Sequence, residues 1–489
     1  MKRTSTITTF FLVLLLAGSV FASGVGLTGI GARATALGGN FRGIANDWSA
    51  MYWNPAGLTQ IEGWHFGFSS EAIIPVSEYT FANSTVMPFS IFRTGSTENE
   101  PKTFLVPAAG IVYGMENMSF GLAVYAPFGL GSKWDVMNTA TYNSDYPGID
   151  YESDLQVIAI QPTFAYKVTD KLSLGVGAII TYADIIIRTP VTTPNPLIFD
   201  PNYAALKQGV LAPMGLDAST YNHILTEKKL TGNGFGYGAN IGLKFDLSEK
   251  LSLGVSAIYY NDMSLDGKIS AATYGAKISP AIQQQLSQTL DGLIAMGQLT
   301  EADKQQILGI YSGQKMVLAD DAPGTATLPL PMTVGAGFAY KATDNLMFSG
   351  DVSWTQWASW DVIPIDMDDG SKAELVENWE DGIRLGLGAE YCVTEKLGIR
   401  AGYYTEPAAP PDETLTITIP DPGRRHGINV GISYDFGMFK AYASYEKLLI
   451  GERTISDWKY DTTSSSYDNM AGTYKMDVNN FMAGLNFAF

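Results

Sequence analysis

A single cysteine, Cys392, in 489 residues excludes an internal disulfide framework. Histidine is almost as scarce. His65, His223 and His426 lie far apart, and none has a neighbour at catalytic or metal-ligand spacing. No Gly-x-Ser-x-Gly elbow and no His-Glu-x-x-His pair occurs, so no catalytic residue, metal site or cofactor is expected. Charge is sparse: charged residues make up 16% of the chain, and a net charge of −18 argues against nucleic acid as a partner. Apolar runs long enough to cross a bilayer as a helix, about 20 residues, are missing too. The longest, Phe10 to Ala17, follows Lys2 and Arg3 and precedes Val20-Phe21-Ala22. Residues 1–22 therefore read as a secretory signal, with cleavage expected before Ser23.

What the chain has in abundance is glycine, at 51 residues, and tyrosine, at 26. From Ile61 onward the dominant pattern is period-2 alternation, with glycine often on one face and apolar residues on the other. In Gly234 to Lys244, Phe235, Tyr237, Ala239, Ile241 and Leu243 share a face opposite Gly236, Gly238, Asn240 and Gly242. These segments are longer than the about 5–6 residues of soluble strands and match the about 9–11 of membrane-crossing ones. A unit recurs at Tyr166–Gly177, Phe245–Ser256, Tyr340–Asp351 and Tyr391–Gly402: a strand, a Thr/Ser-Asp/Glu turn, then the next strand at once.

Strands are expected near 61–74, 103–115, 118–127, 153–168, 171–188, 232–246, 250–262, 328–342, 345–361, 379–393, 396–405, 425–436, 438–451 and 474–489. Their connections alternate between short and long, as in an outer-membrane barrel with both chain ends on the periplasmic side. The fold expected is all-β, an antiparallel transmembrane barrel of about fourteen strands over 61–489. The longest connection should hold a helical hairpin over about 279–313. Ser279-Pro280 starts it, Ile282, Leu286, Leu290 and Leu293 keep helical spacing, and Thr300 with Asp303 opens the second helix.

Several residues stand out against this frame. Glu390 and Arg400 both face the lumen by parity and nearly oppose each other, as an ion pair holding the wall to whatever fills it. Arg384 and Asp351 also face inward; Arg384, nearer the outer rim, is the better placed to meet a ligand carboxylate. Pro127, Phe128, Gly129, Leu130 and Gly131 end the third strand. Proline lacks the ladder donor and glycine permits bends, so pairing should fail there. Phe489 closes an alternating last strand as an assembly signal would. Gly24-Val25-Gly26-Leu27-Thr28-Gly29 fits a dinucleotide fingerprint but has no surrounding βαβ unit.

Residues 23–60 are Gly- and Ala-rich and too short to bury a core, so they read as a plug inside the barrel. The run from Gly31-Ala32-Arg33 through Gly38-Gly39-Asn40-Phe41 to Asn54-Pro55-Ala56 resembles the N-terminal hatch of the FadL/TodX family, outer-membrane transporters of long-chain fatty acids and other hydrophobic compounds. The resemblance continues in Phe128 to Trp134, Trp354-Thr-Gln-Trp357, Asn378-Trp379, Arg400 to Tyr403 and Ile419 to Arg424. It implies passive uptake of hydrophobic molecules, fatty acids first. The hatch would move, and release would run sideways through a kink in the third strand, with Asn54 bonding wall backbone left unpaired at Pro127–Gly131. Outer-membrane lipid and the barrel-assembly machinery would be the other partners. A transporter of monoaromatic or aliphatic hydrocarbons, a polar-solute porin and a barrel lipase are the alternatives.

Overall fold

Alternation this long closes on itself. In the computed structural model, which describes residues 24–27, 29–82, 92–93, 95–137, 146, 148–461, 466–467 and 469–489, fourteen strands form the wall. They are β1 (Gly63–Phe81), β2 (Phe104–Gly114), β3 (Met118–Trp134), β4 (Tyr151–Lys167), β5 (Leu172–Pro194), β6 (His223–Asp246) and β7 (Leu251–Tyr260). The second half is β8 (Thr333–Lys341), β9 (Leu346–Thr355), β10 (Gly382–Cys392), β11 (Leu397–Glu406), β12 (Arg425–Asp435), β13 (Phe439–Ile450) and β14 (Gly472–Ala488). Each pairs antiparallel with the next, and β1 closes the barrel on β14 from His65↔Ala488 to Phe81↔Gly472. The expected signal at 1–22 lies outside the described residues.

The outward face is apolar, with Ile180, Ile241, Leu387 and Val430 exposed. Trp64, Tyr113, Phe120, Tyr166, Tyr391, Tyr434 and Phe436 ring the end where the short turns lie; Phe235, Tyr237 and Tyr259 mark the other. These are the aromatic girdles of a membrane barrel. Among the described residues no helix is long and apolar enough to cross a membrane, which says nothing of strands.

The inward face is where the glycines point, and the N-terminal segment explains them. Residues 31–61 are almost wholly buried and touch strands on every side of the lumen. A side chain at Gly242 of β6 would collide with Asn54 and Pro55, and one at Gly402 of β11 with the backbone of Leu37 and Gly38. The segment holds α1 (Ala32–Ala36), α2 (Ala50–Trp53) and a 3₁₀ turn, Pro55–Gln60.

Above the membrane the wall departs from the sequence expectation. β5 and β6 run on past their apolar alternation, because strands beyond the bilayer need no apolar outer face. The connection expected over 263–327 contains two strands, Met263–Tyr274 and Lys315–Leu328, that extend the sheet from upper β6. The strand expected over 345–361 stops at Thr355, and Val362–Met367 and Lys372–Val376 form a hairpin that joins the sheet through Lys315–Leu328. Two helices, α3 (Pro280–Ala295) and α4 (Glu301–Ile310), carry Ser279 and Thr300 as N-caps, the latter in a reciprocal box with Asp303. Their Leu286, Leu290, Ile307 and Ile310 pack with Leu197, Leu211 and Leu216 of the β5–β6 connection.

Candidate functional site

The N-terminal segment is held by wall side chains that satisfy its backbone, as buried polar groups require. Asn240 Nδ2 donates to the carbonyls of Met51 and Tyr52, both at 2.8 Å, and Ser256 Oγ to that of Trp53 at 2.7 Å. Asn54 is fully buried. Its Nδ2 donates to Arg42 O and Leu243 O, both at 3.0 Å, and its Oδ1 accepts from Ala56 N at 3.2 Å, capping the turn that Pro55 begins. Asn54 therefore bonds β6 and not the kink in β3, contrary to the sequence expectation.

Two ion-pair systems join segment to wall. Glu390 and Arg400 are register partners on β10 and β11, and Arg33 of α1 completes the set, its Nε and Nη2 reaching the two Glu390 oxygens at 2.8 and 2.9 Å. Arg400 Nη1 also donates to Ser433 Oγ at 3.0 Å. Nearer the outside, Arg42 pairs with Asp351 at 3.1 Å. Neither Arg33 nor Arg42 was singled out by sequence reasoning, because contacts from the segment to distant strands leave no local pattern.

At the kink the structure corrects the expected loss of pairing. β3 pairs with β2 only as far as Ala109↔Val124, but its pairing with β4 continues through a bulge between Tyr125 and Phe128 to Trp134↔Tyr151. The free edge on the β2 side is met from inside the barrel. Leu27 N donates to Pro127 O at 2.9 Å, Gly129 N donates to Val25 O at 2.8 Å, and Gly26 bridges Phe128. The Gly-Val-Gly-Leu alternation at 24–27 was the available signal for this short strand. Its far end is pinned where Gly24 N donates to Asp421 Oδ2 at 3.1 Å; Asp421 in turn pairs with Arg425.

Behind that strand lies a cavity of about 80 Å³. Leu27, Phe128, Tyr260 and Trp357 give it an apolar, aromatic side; Arg42, Asp351, Arg384 and Glu406 give it a charged one. The Phe128 ring meets those of Tyr260 and Trp357 at 5.3 and 6.4 Å. The Arg384 guanidinium carbon sits 3.6 Å over the Tyr404 ring, and Nη2 donates to Gly38 O at 2.7 Å. Among the described residues no carboxylate lies within 4.0 Å of it.

Outward of this cavity, Trp357, Trp360 and Trp379 cluster with centroid distances of 4.5 to 6.3 Å. Beyond them is a second, narrower and almost wholly apolar cleft between Leu130, Ile187, Leu230, Leu328 and Ile363. Asp154 and Glu377 also line it; Glu377, in the β9–β10 connection, is pushed up to about 7 by burial, against a hydrogen bond from Trp379 that pulls it down. A larger groove of about 590 Å³ lies on the lipid face, between Phe164, Val176, Ile241 and Val255. Phe489, 77% exposed, stacks on Phe487 at the periplasmic rim, its backbone bonded to Trp64. Among the described residues no group of His, Cys, Asp and Glu could hold a metal.

Residues 13–489 match the family model described as outer membrane protein transport protein (OMPP1/FadL/TodX). A 47 kDa outer membrane protein of Pasteurella multocida is 30% identical over 234 residues, which span 47% of this chain and 47% of that protein, so the match covers about half of each. A long-chain fatty acid transport protein of Escherichia coli is 22% identical over 399 residues, 80% of this chain and 79% of that one. The crystal structure of a Pseudomonas aeruginosa FadL homologue has the same fold, with a TM-score of 0.68 at 18% identity over 97% of this chain and 100% of that one.

Proposed function

This chain belongs to the OMPP1/FadL/TodX family of outer-membrane transport proteins, a Gram-negative outer-membrane barrel and not an enzyme, and from that premise we propose which molecules it carries and by what route. It takes up hydrophobic molecules passively, long-chain fatty acids first. Residues 23–60 act as a hatch, and the ligand leaves sideways through the wall at the β3 kink.

The observation that carries this reading is the short strand Val25–Leu27, hydrogen-bonded across the wall edge that β2 leaves free. It is a movable closure on one side of an aromatic cavity. The apolar cleft and the three tryptophans supply a route to that cavity from outside. Arg384 supplies a cation for a carboxylate, with most of its donors uncommitted. Burying each methylene stabilises a bound chain by about 0.8 kcal/mol, so a rigid site would hold a long chain too tightly to release it. The cavity volume of about 80 Å³ supports the same conclusion, since an acyl chain fits only when the hatch shifts. The aromatic side formed by Phe128, Tyr260 and Trp357 favours a second reading, a monoaromatic hydrocarbon as cargo. Membrane lipid against the outward face, and recognition of Phe489 by the assembly machinery, belong to the same proposal.

The test is uptake of labelled oleate and of toluene by cells expressing folded wild type and Gly129→Trp, which fills the window. Loss of oleate uptake in the variant supports the fatty-acid reading with lateral release. Loss of toluene uptake alone favours the second reading. Full transport of both by the variant removes the lateral route.

A further inference from the structure

The fatty-acid reading has an electrostatic consequence, which follows from the charges around the cavity. Arg42 is paired with Asp351 at 3.1 Å, and Arg425 with Asp421 at 2.7 Å. That leaves Arg384 on β10 and Glu406 on β11. The ladder between these strands ends at Leu385↔Thr405, so the next step sets Arg384 and Glu406 opposite each other on the inward face. Both line the cavity, yet among the described residues neither has an ion-pair partner within 4.0 Å. Glu406 is 7% exposed, and its Oε1 accepts no hydrogen bond.

The other groups that act on Glu406 do not relieve it. Arg425, the register partner of Glu406 on β12, is already paired with Asp421, whose charge opposes it, and Glu446 of β13, bonded to Asn480 at 2.6 Å, adds a further negative charge. A carboxylate ligand that occupied Arg384 would leave Glu406 as an uncompensated buried anion, which is costly and is relieved by binding a proton.

We propose that the ligand acid is taken up together with one proton, which Glu406 holds while Arg384 holds the ligand carboxylate. This rests on the fatty-acid reading. One carboxylate and one solvent proton enter, no covalent bond other than O–H forms, and the charge around the cavity is the same before and after. The transported species is then the neutral acid, ready for release into lipid.

Calorimetric titration of the purified barrel with oleate, in buffers of different ionisation enthalpy, counts the proton. Free oleate is ionised between about pH 6.5 and pH 8.5, so wild type should take up one proton per ligand across that range. Its affinity should fall about tenfold per pH unit. Glu406→Gln should bind oleate with one proton fewer than wild type and with a flatter pH profile. Oleyl alcohol should show no difference in proton uptake between the two proteins. Glu377 titrates in both, so the difference between them isolates Glu406. Tight oleate binding to wild type without proton uptake, or equal uptake in wild type and folded Glu406→Gln, overturns the proposal. If oleyl alcohol or toluene binds and oleate does not, the fatty-acid reading fails and takes this inference with it.

Discussion

Strands β10 and β11 carry the same pair of residue types twice, once near each end of the barrel. At the periplasmic end Glu390 and Arg400 are locked by Arg33 of the N-terminal segment and by Ser433, so every charge is answered. At the outer end Arg384 and Glu406 face a cavity and are answered by no ion pair among the described residues. Identical chemistry on neighbouring strands serves two purposes, and what separates them is whether the N-terminal segment contributes a third charge. A closed set anchors. An open set has capacity left for a ligand.

The comparison breaks most severely if the anchor is removed. Glu390→Ala leaves Arg33 and Arg400 buried without a carboxylate and should cost about 3–5 kcal/mol. Urea unfolding of the purified barrel, or the temperature of heat-modifiable gel migration, reads that loss. Next comes the open pair. Arg384→Gln removes a charge-assisted contact worth about 1.5–3 kcal/mol and should weaken oleate binding about 10–100-fold while sparing toluene. Equal loss for both ligands would show that Arg384 only supports Gly38 and Tyr404. Asn54→Ala should destabilise by about 1–3 kcal/mol, because Arg42 O and Leu243 O lose a buried donor. The same unfolding assay checks it. Ser433→Ala deletes a single bond to Arg400 and should cost about 0.5–1.5 kcal/mol, with oleate binding unchanged.

How far these features were legible depended on their range. The fourteen strands and their tight turns follow from local alternation, and Glu390 with Arg400 from parity about one turn. The kink at Pro127 was visible as a proline and glycines in a strand, but its one-sidedness was not. Whether β3 keeps β4 while losing β2 is decided by register across the sheet. The outer hairpins escaped because strands clear of the bilayer, such as Lys315–Leu328, need not alternate apolar with polar. Val25–Leu27 was obscured by a fingerprint that shares its glycines. Arg33, Arg42 and the facing of Arg384 on Glu406 depend on how the N-terminal segment seats in the lumen, which no periodicity records.

The central claim is that Val25–Leu27 must leave the β3 edge for cargo to pass. Gly26 and Phe128 are bridge partners flanked by the two hydrogen bonds, a geometry with Cα atoms about 4.5 Å apart and within disulfide range. The native chain has only Cys392 to remove. Cells expressing Gly26→Cys with Phe128→Cys in a Cys392→Ser background should therefore lose labelled-oleate uptake when oxidised and recover it on addition of reductant. Equal uptake by the cross-linked and reduced barrels would contradict the account.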